Sequence, residues 1–195
     1  MDSLLTFTII APLIHDVAIV DLHGSKNLVG QGFALHLNLT AWNHGDFSET
    51  VNITVHANQT IIGEAYNINL TSRNFTIVPF SWATTGFAEG NYTIGAFAEP
   101  VAGETDTLDN SLADGWVFVT ISGDINGDTY VNIEDAVLMG VAFGAQHITN
   151  PSDPRYCQYW RGNEGPFSPN NDINCDGYIN IKGAVIQGTH FGEGW

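Results

Sequence analysis

Asp124, Asn126, Asp128, Asn132 and Asp135 put side-chain oxygens at positions 1, 3, 5, 9 and 12 of a twelve-residue stretch, and Tyr130 offers its backbone carbonyl at position 7. Alternating residues of one loop can turn such oxygens inward around a hard divalent cation. Calcium takes about six to eight of them at roughly 2.3–2.6 Å. The pattern recurs further along the chain: aligning 124–144 with 172–192 gives 12 identities in 21 positions. The second copy supplies Asp172, Asn174, Asp176, the Tyr178 carbonyl and Asn180, but position 12 is Gly183, where the first copy has Asp135. Position 6 differs as well, being Thr129 in the first loop and Gly177 in the second. A solvated acidic turn does not account for a whole ligand pattern written twice. Two calcium sites are therefore expected, the second weaker or completed by a ligand from elsewhere. Asp153 and Glu164, in the long insert between the copies, are the candidates for that ligand.

Each loop needs an element to hold it. Position 8 is apolar in both copies (Val131, Ile179) and anchors the loop to a core. A helix is predicted to follow, with Ile133, Ala136, Val137, Gly140 and Val141 as its buried face and Phe143-Gly144 at its end. Upstream the period changes to two. Leu35-His36-Leu37-Asn38-Leu39-Thr40-Ala41 and Val51-Asn52-Ile53-Thr54-Val55-His56-Ala57 alternate as half-buried strands must. Segments 16–22, 33–42, 50–57, 59–64, 66–71, 74–82, 91–98 and 115–121 read as strands, enough for a sandwich of antiparallel sheets.

The net charge of −16 arises from 21 acidic residues against only five Lys and Arg. Such a surface repels nucleic acid and anionic lipid and suits bound cations. No stretch reaches the roughly 18 apolar residues of a membrane span. Met1-Asp2-Ser3-Leu4-Leu5 lacks the basic start of a secretory leader. Asparagine argues for compartment. Six of the nine Asn up to position 91 (Asn38, Asn52, Asn58, Asn69, Asn74 and Asn91) lie in Asn-x-Thr sequons, and none of the nine that follow does. Chance would give about two at this Ser and Thr content. N-linked glycans and an extracellular or cell-surface site are expected. On a strand, Asn and Thr at i and i+2 share the outer face, so the middle residues Leu39, Ile53, Leu70, Phe75 and Tyr92 are expected to point inward; Asn58-Gln59 reads as a turn. Cys157 and Cys175 are expected to form a disulfide that closes a loop of about 18 residues, worth roughly 3 kcal/mol, and would brace the second loop where the ion holds it less well.

Two resemblances follow from these residues. Asp16-Val17-Ala18-Ile19-Val20, Val29-Gly30-Gln31, Leu39-Thr40-Ala41-Trp42-Asn43-His44-Gly45, Gly90-Asn91-Tyr92-Thr93-Ile94 and Glu104-Thr105-Asp106-Thr107-Leu108-Asp109-Asn110 occur in the order of a CARDB domain, the immunoglobulin-like, adhesion-related module of archaeal and bacterial surface proteins. The duplicated loop–helix resembles a type I dockerin, a pair of half EF-hands. The implied fold is mainly β with a small α part: an immunoglobulin-like β-sandwich over 15–122, then a dockerin-like calcium domain over 123–195. The dockerin likeness implies a cohesin-like partner read by loop positions 10 and 11. Here those are Ile133-Glu134 and Ile181-Lys182, unlike the Ser and Thr common in cellulosomal dockerins.

Other chemistry is thinner. His36 and His56, read as facing outward on neighbouring strands, make an incomplete metal site. Glu104 and Asp106 suit a loop-edge or calcium-bracing role better than a glycosidase pair. No nucleophile elbow, zinc-protease or nucleotide motif is present, and no enzyme is expected. Residues 1–14, with Leu4-Leu5-Thr6-Phe7-Thr8-Ile9-Ile10 at their centre, form a β-prone strand that pairs in cis or is donated to a neighbouring copy. The expected function is an extracellular, glycosylated, calcium-binding structural or adhesion subunit that assembles with copies of itself into a filament or sheath. The alternative is a dockerin module attaching to a cohesin-bearing scaffold of a polysaccharide-degrading complex.

Overall fold

The computed structural model describes residues 11–150, 152–155 and 158–195, so most of the expected N-terminal strand and Cys157 of the expected disulfide lie outside the described residues. Residues 11–14 carry no strand, and Leu13 and Ile14 are exposed.

Eight strands form the β part: β1 (Val17–Gly24), β2 (Leu28–Gly30), β3 (Ala34–Asn43), β4 (Glu49–Ala57), β5 (Thr60–Leu70), β6 (Asn74–Ala83), β7 (Gly90–Ala98) and β8 (Ser111–Thr120). They make a three-stranded sheet in the order β1-β3-β6 and a five-stranded sheet in the order β2-β8-β7-β4-β5. Period-two patterning decides which side chains meet between the sheets. Leu35, Leu37, Leu39 and Ala41 of β3 face Val51, Ile53, Val55 and Ala57 of β4, all essentially without solvent exposure. Trp82 closes this core, with Phe87 and Tyr92 edge-on to it.

Three strand expectations change. Segments 59–64 and 66–71 are one strand, β5, because register shifts against β4 absorb the irregularity. The short β2 pairs parallel with β8, so the sandwich is not purely antiparallel. β8 begins at Ser111, earlier than its apolar run.

After the sandwich come α1 (Ile133–Ala142), β9 (Gln146–His147), β10 (Tyr159–Arg161), β11 (Glu164–Phe167), a 3₁₀ turn (Pro169–Asn171) and α2 (Ile181–Thr189). The insert folds β9, β10 and β11 into a small sheet of its own. A second cluster collects Ile125, Met139, Ala142, Ala145, Ile173 and Ile179 out of solvent, with Phe33 of the sandwich packed against part of it, and Val131 is buried as well. The expected buried face of α1 is the wrong one. Ile133, Val137 and Val141 are exposed, whereas Asp135, Met139 and Ala142 are buried. Two apolar stripes compete on this helix, and the capping requirement of Asp135 chooses between them. Turning Asp135 inward to the loop brings Met139 and Ala142 with it, at i+4 and i+7.

Candidate metal centre

The first loop leaves β8 at Thr120 and enters α1 at Asn132. Asp124 and Asp135 are buried at its centre, and one oxygen each from Asp124, Asp128 and Asp135 lies within 4.8 Å of the other two. Asp135 Oδ1 accepts from the amides of Ile125 (2.8 Å) and Asn126 (3.2 Å), while its Oδ2 accepts from the Asn132 amide at 2.9 Å. Asp124 accepts from the Gly127 amide (2.7 Å), the Thr129 amide (3.0 Å) and the Thr120 hydroxyl (2.5 Å). Burial still pushes the Asp124 carboxyl above its ordinary range, and the nearby Asp135 charge adds to it. Thr129 adopts φ 76°, the left-handed conformation for which position 6 ordinarily carries glycine.

Three converging carboxylates, two of them desolvated, repel one another unless a cation lies among them. An oxygen-only set of this kind selects a hard ion such as Ca²⁺. Asn126 stands at the edge of the ring, its amide donating to Asp128 Oδ2 at 3.1 Å. Asn132 does not offer its side chain to the ring: its Oδ1 caps α1 by accepting from the Glu134 amide. Asn180 does the same for α2 by accepting from the Lys182 amide.

The second loop is built differently. Asp172 is buried and accepts from the Tyr159 hydroxyl (2.7 Å) and from the amides of Gly177 (2.8 Å) and Asp176 (3.2 Å). Burial, reinforced by that bond to Asp172, pushes the Tyr159 hydroxyl far up. Asn174 Oδ1 is buried with no donor, as a cation ligand lacking its ion would be. Two lysines oppose that reading. Lys182 Nζ lies 3.1 Å from Asp176 Oδ2, and Lys26, itself buried, reaches from the β1–β2 turn to donate to the carbonyls of Asp172 (2.6 Å) and Ile173 (3.4 Å). Where the first loop holds a third carboxylate, the second has two fixed positive charges. A Cβ on Gly183 would lie 3.1 Å from Met139 Cε, so α1 and α2 approach where Asp135 has no counterpart.

The proposed substitutes do not supply what is missing. Asp153 is engaged by Arg155 at 2.7 Å, which holds its carboxyl down at about 2, and Glu164 is engaged by Arg161. Among the described residues Cys175, at φ 53°, has no disulfide partner; burial raises its thiol and Lys26 draws it back.

Elsewhere, Asn38, Asn58, Asn69, Asn74 and Asn91 are exposed, whereas Asn52 is half-buried with its amide bonded to Glu99 and to the Asn67 backbone. Leu39, Ile53 and Leu70 point inward as expected. Phe75 instead points outward and stacks on Trp42 at 5.5 Å, because Val78 and Trp82 set the phase of β6. His36 and His56 lie on different sheets, which ends the idea of a shared site. Lys26 was not singled out by the sequence; its only signal was scarcity, as one of five basic residues in an acidic chain.

No family model matches the chain, and no curated protein matches it. Solved structures similar to it include CARDB domains. One, from Pyrococcus furiosus and solved in complex with di-metal ions, is 20% identical with a TM-score of 0.48, covering 57% of this chain and 99% of its own. A domain from Methanosarcina acetivorans, named a cell surface protein, is 24% identical with a TM-score of 0.45, covering 55% and 93%. A β-glucosidase from Erythrobacter marinus is 13% identical with a TM-score of 0.40, covering 54% of this chain but 15% of its own. Among the described residues no helix is long and apolar enough to cross a membrane.

Proposed function

We propose that the chain is a non-enzymatic, extracellular calcium-binding subunit, in which a CARDB-like sandwich carries N-linked glycans and a dockerin-like unit from residue 123 onward is shaped by Ca²⁺. The observation that carries this reading is the trio Asp124, Asp128 and Asp135, two of them buried, with oxygens within 4.8 Å of one another. Asp124, Asp128 and Asp135 would hold the ion, which neutralises their repulsion and fixes the entry to α1. Thr120 and the loop amides orient the carboxylates for it. The second loop is proposed as the weaker site, because Lys26 and Lys182 already supply positive charge there.

Assembly with copies of itself remains the leading reading, with residues 1–14 donated to a neighbouring sheet edge. The docking alternative gains from one feature: Ile133, Val137 and Val141 on α1, and Ile181 and Val185 on α2, all stand exposed. Elemental analysis of purified protein after dialysis into calcium tests the first claim, with at least one bound equivalent expected. Asp124→Asn/Asp128→Asn should bind one equivalent fewer than wild type, and an unchanged stoichiometry would overturn the site. Negative-stain microscopy of the full chain and of a chain lacking residues 1–14 then separates the two assembly readings. Fibres lost on deletion support self-assembly, and fibres unaffected by it refute strand donation.

A further inference from the structure

Asp16 precedes β1, at the opposite end of the chain from the loops, and the segment between β7 and β8 folds across it. Glu104 pins that segment: its Oε1 accepts from the Val17 amide at 2.6 Å and its Oε2 from the Val101 amide at 2.7 Å. The Ile19 amide donates to the Asp109 carbonyl at 2.8 Å, and the Asp16 carbonyl accepts from the amides of His44 (2.9 Å) and Gly45 (3.2 Å). The Asp16 and Asp109 carbonyls are therefore satisfied, but the side chains are not. Asn110 is wholly buried and donates Nδ2 to both oxygens of Glu104, each at 3.3 Å, which fixes its amide orientation and leaves Oδ1 over. Asn110 Oδ1, Asp16 Oδ1 and Asp109 Oδ1 are all buried, and none accepts a hydrogen bond.

Buried polar atoms are seldom left without partners. A single water offers only two protons, and three buried acceptors along these two joined segments lack donors. A basic side chain is not to hand either, because all five in the chain are engaged elsewhere: Lys26 on Asp172, Arg73 on Asp46, Arg155 on Asp153, Arg161 on Glu164 and Lys182 on Asp176. Burial raises the Asp16 carboxyl, with Asp109 next in effect and Asp106 and Glu104 behind it; only His44 works the other way.

We infer that Asp16, Asp109 and Asn110 form a second, structurally separate site for a hard divalent cation of the calcium type, which ties the start of β1 to the β7–β8 segment. Two carboxylate oxygens and an amide carbonyl suit such an ion at about 2.3–2.6 Å, with waters completing its shell. The site does not depend on the repeated loops, so either can exist without the other.

The test is calcium stoichiometry of the full chain by equilibrium dialysis and elemental analysis, compared among wild type, Asp16→Asn/Asp109→Asn and Asp124→Asn/Asp128→Asn. The sandwich variant is expected to lose one equivalent and keep the loop equivalent, and the loop variant the reverse. Unchanged stoichiometry in Asp16→Asn/Asp109→Asn overturns the inference. Should that variant fail to fold, wild-type crystals grown with Mn²⁺ decide by anomalous scattering. A peak between Asp16 and Asn110 is expected, its absence refutes the site, and a peak or blank at Asp124 reports separately on the loop.

Discussion

Lys26→Met removes one ammonium and keeps the length and apolar stem of the side chain. In the native protein that ammonium is buried and donates to the Asp172 and Ile173 carbonyls at 2.6 and 3.4 Å, so it is the cation that links the sandwich to the second loop. A hydrogen bond from a charged donor contributes about 1.5–3 kcal/mol, and an abandoned buried carbonyl costs about 1–3 kcal/mol. The Asp172 carbonyl keeps a long bond from the Cys175 amide at 3.3 Å, and Met removes the desolvation cost of the charge, so the lower half of these ranges applies. A net loss of about 2 kcal/mol is expected, which for a chain of this size lowers Tm by about 4–8 °C. The same change removes a positive charge from beside Asp172 and Asp176, so calcium should bind the second loop more tightly. Calorimetric melting with and without chelator, together with calcium titration of the variant, measures both effects. A Tm within about 1 °C of wild type, or a second-loop affinity that falls, would refute the clamp.

Two other perturbations probe the remaining ionic contacts. Asp135→Asn keeps one acceptor for the surrounding amides but discards the charge, so the calcium-dependent rise in stability should fall by the first loop's share, about 2.7 kcal/mol at a hundredfold excess over Kd, while the apo protein loses about 1–2 kcal/mol; chelator-dependent melting of wild type and variant checks this. Asp153 is lowered by its bond from Arg155, so its contribution is complete above the ordinary carboxylate value and fades as pH falls through about 2. A carboxyl titration followed by NMR should place its midpoint near 2, and Arg155→Ala should return it to the ordinary carboxylate value of about 3.9.

Strand positions, the gathering of Asp124, Asp128 and Asp135 and the buried anchors Val131 and Ile179 were legible because each is a local pattern: a period of two, a repeat, a fixed spacing. The buried face of α1 was not. Ile133-Val137-Val141 and Met139-Ala142 both satisfy a helical period, and only the tertiary demand that Asp135 cap its own helix from inside decides between them. The outward Phe75 failed for a similar reason, since a sequon does not carry the phase of its strand. Lys26, Asp16 and Asn110 were illegible because their meaning lies across 146 residues in one case and across the whole sandwich in the other.

The lost carboxylate of the second loop can now be argued as geometry. Met139 of α1 packs where a Cβ on Gly183 would begin, at 3.1 Å, so a side chain there requires the end of the methionine to give way in the shared core. The deficit falls on a loop that Lys26 enters through its backbone carbonyls and that Lys182 meets at Asp176. Positive charge from the chain thus reaches a loop that has no position-12 carboxylate. The two copies differ in the charges they bring together: the first gathers Asp124, Asp128 and Asp135, while the second meets Lys182 and a lysine belonging to the neighbouring sandwich. With the proposed ion among those three carboxylates, the first loop is the one whose order should depend on calcium, and the second the one that its lysines already hold.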